Sequence, residues 1–343
     1  KELEFYKLLY SNSISEALKQ TNDNVAAKNV ILQIEAKKFC ETDVVSCAQS
    51  AYENLHFYLT NACNLRCPHC YMYAGVAKQN ELNTKEIKDS LTDFYNNEGK
   101  RVTFSGGEVC TRNDFVEIIK HAKRVGLKTR VLTNGTLCGE MLVAAVAPYI
   151  DSVQISIDGY SEETNSKIRG QGAFEKSLKA MFLFLSSNIR TEIAITPFTI
   201  TDCNNYEEEI DKYVNFAKYL SKITDNKVRI KFAEEIIEGR NVCLSNEKKD
   251  KHTKCIHTIQ SKFYNYDSEE LSFVKSFNNN IIKDNCMYGS ISIDSCGNVF
   301  FCARVTDLQP IGNIKSISFN EIMKVAQKAH KLSNINNLPI WNV

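Results

Sequence analysis

Cys63, Cys67 and Cys70 stand within eight residues, in the run Cys63-Asn64-Leu65-Arg66-Cys67-Pro68-His69-Cys70. Thiolates are the usual ligands of a cubane iron–sulfur cluster, which has four irons. Three on one short loop leave one iron without a ligand from this segment, and chemistry can happen there. Cys67-x2-Cys70 alone also fits half a zinc site or a redox pair. The alternating segment Leu55-His56-Phe57-Tyr58-Leu59 just before the loop reads as a strand, so the thiols follow its carboxyl end.

Other loops carry residues suited to a ligand. In Ser105-Gly106-Gly107-Glu108, two adjacent glycines let the backbone approach closely, and the carboxylate beside them suits an ammonium. A plain turn between strand and helix would look the same. Thr133-Asn134-Gly135 and Ser156-Ile157-Asp158-Gly159 offer hydroxyl and carboxylate groups, and are equally ordinary turn chemistry. Arg169, in Ile168-Arg169-Gly170-Gln171-Gly172, presents a planar fork of donors for a carboxylate, or a surface salt bridge.

The elements that must position these residues alternate regularly. Asn83-Thr84-Lys85-Glu86 reads as a capping box, Ile87, Leu91, Phe94 and Tyr95 line one helical face, and Gly99 stops that helix. Strand 101–105 follows. Asn113 caps a helix bearing Phe115, Ile118, Ile119, Ala122 and Val125, which Gly126 ends. Strands 128–133, 153–157, 191–196 and 228–233 alternate with helices near 139–147, 174–187 and 206–223. Six strands separated by helices argue for a parallel sheet, as a partial barrel or an open doubly wound sheet. In both, active sites lie at the carboxyl ends of the strands, where the cysteine loop and the ligand-suited residues of the other loops fall.

The Cys-x3-Cys-x2-Cys spacing resembles the signature of the radical S-adenosylmethionine (SAM) enzymes, and Gly106-Gly107-Glu108 is similar to their Gly-Gly-Glu motif. The resemblance implies an α/β fold, a partial (β/α)6 TIM-like barrel over residues 51–240, closing near Glu238-Gly239-Arg240. It implies a [4Fe-4S] cluster on Cys63, Cys67 and Cys70, with SAM chelated at the open iron. One-electron cleavage of SAM would then give a 5′-deoxyadenosyl radical that takes a hydrogen atom from substrate. Ser105, Gly106, Gly107 and Glu108 would receive SAM's amino group and Arg169 its carboxylate. Asn134, Ser156 and Asp158 would serve the ribose end, and His69 would lie against the adenine.

Past the barrel, strand 290–294, the turn Ser295-Cys296-Gly297-Asn298 and strand 299–302 read as a hairpin, followed by a helix over 319–332. Cys286 and Gly297-x4-Cys302 resemble the opening of the SPASM and twitch auxiliary domains. Two thiols are too few for a cubane. Further ligands would lie outside this chain, or Cys255 and Cys243 would complete an auxiliary Fe–S cluster, with Cys296 a bystander. Residues 241–285 are then a linker and 286–343 an auxiliary domain. Residues 1–50 form an accessory segment, placed where peptide-modifying relatives carry a module that grips the leader peptide.

Such relatives modify ribosomally made peptides. The resemblance therefore implies a precursor peptide, a flavodoxin- or ferredoxin-type electron donor, and a crosslink (C–C or thioether) or an epimerised residue as product. Oxidation to formylglycine, as in sulfatase maturation, and a non-catalytic Fe–S or zinc protein are the alternatives. An epimerase needs a thiol to return a hydrogen atom. Cys110, Cys203 and Cys243 follow strands at the catalytic end, and each also fits a packed, inert thiol.

Composition sets the frame. The 343 residues are 43% hydrophobic with a net charge of +1, enough for a core and without pull toward nucleic acid or membrane. No apolar stretch approaches the ~20 residues of a membrane span, and nothing at the start resembles a signal peptide. Thirteen cysteines in a chain of this size, several at ligand spacing, read as reduced, cytoplasmic and metal-binding. The chain opens at Lys1 without Met and closes at Trp341-Asn342-Val343, which reads as trimming at both ends.

Overall fold

The computed structural model describes residues 19–21, 27, 52–198, 200, 205–233, 239–241, 245–265, 290–301 and 309–326. The chain divides into two compact units, one of Ala51–Asn265 with Gly289–Ala329, the other of Lys1–Ser50, Tyr266–Tyr288 and His330–Val343. Of the second unit's described residues, 19, 20 and 27 are helical. The expected accessory segment otherwise lies outside the described residues. So do Cys203, Glu238, Cys243, Cys286 and Cys302.

In the first unit the order is β1 (Asn54–Tyr58), α1 (Thr84–Asn96), β2 (Arg101–Ser105), α2 (Phe115–Val125), β3 (Lys128–Thr133), α3 (Glu140–Val146) and β4 (Ser152–Ser156). Then come α4 (Glu162–Arg169), α5 (Ala173–Ser186), β5 (Arg190–Ile195), α6 (Tyr206–Ile223), β6 (Arg229–Phe232) and α7 (Asn246–Tyr264). Last are β7 (Ser290–Ile293), β8 (Asn298–Phe300) and β9 (Gly312–Asn313), after which residues 319–326 are helical.

One sheet holds all nine strands in the order β6-β5-β4-β3-β2-β1-β7-β8-β9. β1 to β6 pair in parallel as a partial barrel, and β8 runs antiparallel to both of its neighbours, β7 and β9. Leu55, Phe57, Val102, Phe104, Val131, Val153, Ile155 and Ile193 turn one face of the strands into the core. The alternate residues His56, Thr103, Arg130, Gln154 and Glu192 are polar. Arg130 Nη2 donates across three strands to Gln154 Oε1 at 2.9 Å and Glu192 Oε1 at 2.6 Å. An open sheet covered by helices on both faces would be apolar on both, so this polar face belongs to a barrel interior.

Local chemistry explains most boundaries. The Asn83 capping box forms as expected, its side chain accepting from the Glu86 amide while Glu86 accepts from the Asn83 amide. α2 starts one residue later than expected, at Asp114, whose carboxylate is held by Arg112 and Thr84. α4 lies in a stretch too polar to read as a helix; Ser161 and Thr164 cap it, and of its residues Asn165 and Ile168 are buried.

Two expectations about boundaries differ from the structure. The segment expected as a linker contains α7, whose lysine-rich start conceals buried His252, Cys255, Ile256 and Ile259. The hairpin expected in a separate auxiliary domain instead extends the barrel sheet. β7 pairs in parallel with β1, setting Ile291 and Ile293 in register with Leu55 and Phe57, so the apolar face continues across the junction.

Candidate functional site

The cysteine loop leaves β1 and is fastened on three sides. Gly107 N donates to Thr60 O at 2.7 Å and Glu108 N to Ala62 O at 2.8 Å, zipping the loops of β1 and β2 together. A Cβ on Gly106 would lie 2.4 Å from Thr60 O, and Gly106 has φ +138°. Only glycine tolerates both the space and the conformation. Cys63 N donates to Gly75 O at 3.1 Å, and Gly75 N to Asn61 O at 2.7 Å, closing the loop's base. At the far end, Asn241 N donates to Pro68 O at 3.0 Å and Arg240 N to Cys70 O at 3.3 Å. Gly239 makes room there, since a Cβ would lie 2.6 Å from the His69 carbonyl carbon.

Sequence reasoning missed Arg112. Its Nη1 donates to Leu59 O at 3.0 Å and Leu82 O at 3.1 Å, while Nε and Nη2 engage Asp114. A single arginine after a Gly-Gly-Glu turn carries no pattern that would announce this.

The three loop thiols are half-buried. Burial pushes Cys63 and Cys67 above the usual thiol range, neighbouring thiols add to this, and the Arg169 guanidinium opposes it. Among the described residues, no three His, Cys, Asp or Glu side chains converge on a single metal ion. A cubane does not need that convergence, because its thiolates can bind different irons.

Glu108 is fully buried. Its Oε1 accepts from Thr133 Oγ1 at 2.7 Å and Cys110 N at 3.1 Å, and Oε2 accepts from Asn134 N at 2.7 Å. Burial raises its pKa, and these hydrogen bonds work the other way. The carboxylate expected to meet an ammonium therefore braces the β2 loop to the β3 loop. Asn134 extends the brace by donating from Nδ2 to Asn64 Oδ1 at 3.0 Å, while Asn64 Nδ2 donates to Thr136 Oγ1 at 2.8 Å. The cysteine loop is thus tied to the end of β3. Ser105 closes β2, its carbonyl accepting from Leu59 N at 2.8 Å. Ser156 ends β4, and its hydroxyl has no hydrogen-bond partner among the described residues.

Asp158 is also fully buried. Its Oδ1 accepts from Thr196 N at 3.1 Å, and Oδ2 lies 2.6 Å from Arg169 Nε and 3.3 Å from His69 Nε2. The His69 ring packs against Phe198 at 5.5 Å. Burial lowers the His69 pKa, against the pull of Asp158, which favours the neutral ring. His69 Nδ1 is shielded from solvent without a hydrogen-bond partner among the described residues.

Of the other thiols, Cys110 Sγ lies 3.7 Å from Cys138 Sγ. Its pKa is raised well above the ordinary value by that contact, then by burial and by Glu108. Cys255 is buried on α7, in the core shared with α6. Cys296 sits on the β7–β8 turn, donating its amide to Asp294 Oδ1 at 2.9 Å.

These residues fit a [4Fe-4S] cluster carrying SAM. Three thiols stand together, the terminal nitrogens of Arg169 have no hydrogen-bond partner among the described residues, and a buried imidazole nitrogen awaits a donor. Residues 57–217 match the family model of the Radical SAM superfamily.

Mycofactocin maturase MftC of Mycolicibacterium smegmatis is 35% identical over 129 residues, covering 37% of this chain and 33% of MftC. Fe-coproporphyrin III synthase of Methanosarcina barkeri is 35% identical over 141 residues, covering 40% of this chain and 35% of the synthase. The matched part thus spans about a third of the length of these curated relatives. The fold is similar to that of Streptococcus suis SuiB bound to S-adenosylmethionine, with a TM-score of 0.59 at 16% identity, covering 98% of this chain and 80% of SuiB. Among the described residues no helix is long and apolar enough to cross a membrane.

Proposed function

We propose that this chain is a radical SAM enzyme that takes a hydrogen atom from a ribosomally made peptide and leaves a crosslink or an epimerised residue. One observation carries the reading: Arg169, whose terminal nitrogens have no hydrogen-bond partner among the described residues, lies within electrostatic reach of the three-thiol loop at the carboxyl rim of a parallel barrel. The peptide is suggested by MftC, a maturase, and by SuiB, whose structure is also known bound to its precursor peptide SuiA.

Cys63, Cys67 and Cys70 would hold the cluster. The chemistry it supplies with SAM is one-electron cleavage of the sulfonium, giving a 5′-deoxyadenosyl radical that abstracts hydrogen. Arg169 binds the methionine carboxylate, the Ser156 hydroxyl serves the ribose, and His69 lies against the adenine. With Glu108 fully engaged, backbone oxygens of the Gly106-Gly107 turn take the ammonium. The polar inner face lined by His56, Arg130, Gln154 and Glu192 accommodates the peptide, and the rim loops exclude water from the radical. A flavodoxin- or ferredoxin-type protein delivers the electron. Cys286 and Cys302 begin an auxiliary cluster, with Cys243 or Cys255. Cys255 is packed in the core on α7.

Anaerobically reconstituted protein, reduced with dithionite in the presence of SAM, should release 5′-deoxyadenosine. None with the cluster intact would sink the proposal. Mass spectrometry of a co-expressed precursor separates the products, since crosslinking removes two hydrogens and epimerisation takes deuterium from solvent. Modification of a sulfatase peptide would favour formylglycine formation. The comparable similarity of Fe-coproporphyrin III synthase makes a porphyrin the second reading, and formation of Fe-coproporphyrin III, with no modification of peptide, would establish it.

A further inference from the structure

We infer that Asp158 touches no ligand and is the positioning residue that fixes the Arg169 guanidinium over the cysteine loop. This rests on the SAM-binding reading above and goes beyond it, since a carboxylate at this turn would otherwise be assigned to the ribose.

Three observations carry it. First, Asp158 is 0% exposed, so it presents no surface to a ribose at the rim. Its Oδ1 is occupied by the Thr196 amide and its Oδ2 lies 2.6 Å from Arg169 Nε. Second, that contact uses the inner edge of the guanidinium. A guanidinium can meet one carboxylate at Nε and another at its terminal fork, and the fork here has no hydrogen-bond partner among the described residues. Arg169 also lies within electrostatic reach of Cys63 and Cys67.

Third, the backbone under Asp158 is rigidly held. Asn165 Oδ1 accepts the Asp158 amide at 2.9 Å, and Tyr213 OH donates to its carbonyl at 2.9 Å. A Cβ on Gly159 would lie 2.2 Å from the Asn165 nitrogen, so the turn after β4 presses directly on α4. α4 ends at Arg169. The anion and the cation it orients are therefore mounted on one packed unit. An unanchored arginine side chain carries large rotamer freedom, and a buried guanidinium without an anion is strongly disfavoured. Asp158 removes both difficulties before any ligand arrives.

The test compares two ligands on anaerobically reconstituted holoprotein by equilibrium dialysis: SAM, and decarboxylated SAM, which keeps adenine, ribose, sulfonium and amine. Asp158→Asn should weaken SAM roughly 10- to 100-fold, the range for losing an interaction with a charged group, and weaken decarboxylated SAM far less, through the contact of Asp158 with His69 alone. In an Arg169→Gln background, Asp158→Asn should cause no further loss. Equal weakening of both ligands would overturn the inference in favour of a ribose contact. Additive losses, or no loss, would overturn it as well. Iron content and circular dichroism report whether the variant folds. If Asp158→Asn does not fold, Asp158→Glu keeps the anion and should show the same selective loss for SAM. Wild-type protein that binds neither ligand would instead refute the function proposed above.

Discussion

A Cβ on Gly107 would sit 2.1 Å from the carbonyl oxygen of Ala62, so the loops after β1 and β2 touch backbone to backbone. Gly107→Ala should therefore force the two loops apart and destabilise the protein by about 1–3 kcal/mol, as overpacking does. Iron retained after anaerobic reconstitution should fall with it. Gly139, with nothing within 4 Å of its Cβ position, is the control, and Gly139→Ala should retain wild-type iron content. Equal iron loading in both variants would contradict the zipped-loop picture.

Arg112 joins the carbonyl of Leu59, just after β1, to that of Leu82, just before α1. Arg112→Met should cost about 1–3 kcal/mol through the acceptors it leaves unpaired. Urea denaturation measures this. The loss should come with faster amide exchange around Leu59.

Asp114 adds a pH dependence. Burial would raise its pKa, yet hydrogen bonds from Arg112 and Thr84 outweigh burial and hold the carboxyl below its ordinary value. The stability this contributes is complete above the ordinary carboxylate range near pH 4 and disappears as pH falls through the lowered folded value. Arg112→Met should flatten that acid limb. An unchanged limb would mean that the pair contributes nothing to acid stability.

His56 acts in a milder range. Burial first, then the charge of Arg130, lowers its pKa from 6.5 to about 4. The folded protein keeps it neutral while the unfolded chain takes up a proton. Its contribution is full above pH 6.5, declines as pH drops and is gone by about pH 4, a total of about 3 kcal/mol. Chemical denaturation at pH 7.5 and pH 5 should show this slope in the wild type and a shallower one in His56→Gln.

Cys110 should resist alkylation. Its thiol is held protonated by contact with Cys138, by burial and by Glu108, and the thiolate is the nucleophile. Iodoacetamide near pH 8 should label Cys296 well before Cys110, as peptide mass spectrometry would show. Rapid labelling of Cys110 would instead restore it as a reactive thiol.

Much of this was legible in the chain. The cysteine spacing, the Gly-Gly-Glu turn and the six strands are local patterns, and the strand limits agree to within about a residue. α6 appears with the bounds that its periodicity predicts. What was not legible depends on contacts between distant residues. Asp158 and Arg169 look like a turn acid and a loop base until α4 folds between them, and α4 has too few apolar residues to announce itself. α7 was hidden by its lysines. Glu108 reads as an available acid, yet its partners lie at the end of the next strand.

The parallel pairing of β7 with β1 left no local trace either, and it has a consequence for biogenesis. β1 carries the cysteine loop, yet its second neighbour, β7, begins only at Ser290, after the rest of the barrel strands. During synthesis from the N-terminus the strand that leads into the cysteine loop stays an open edge until Ser290 and the residues of β7 have left the ribosome. Cluster insertion before then would meet a strand bonded on one side only. Loading the metal late, onto a finished sheet, is the order of assembly that this topology favours.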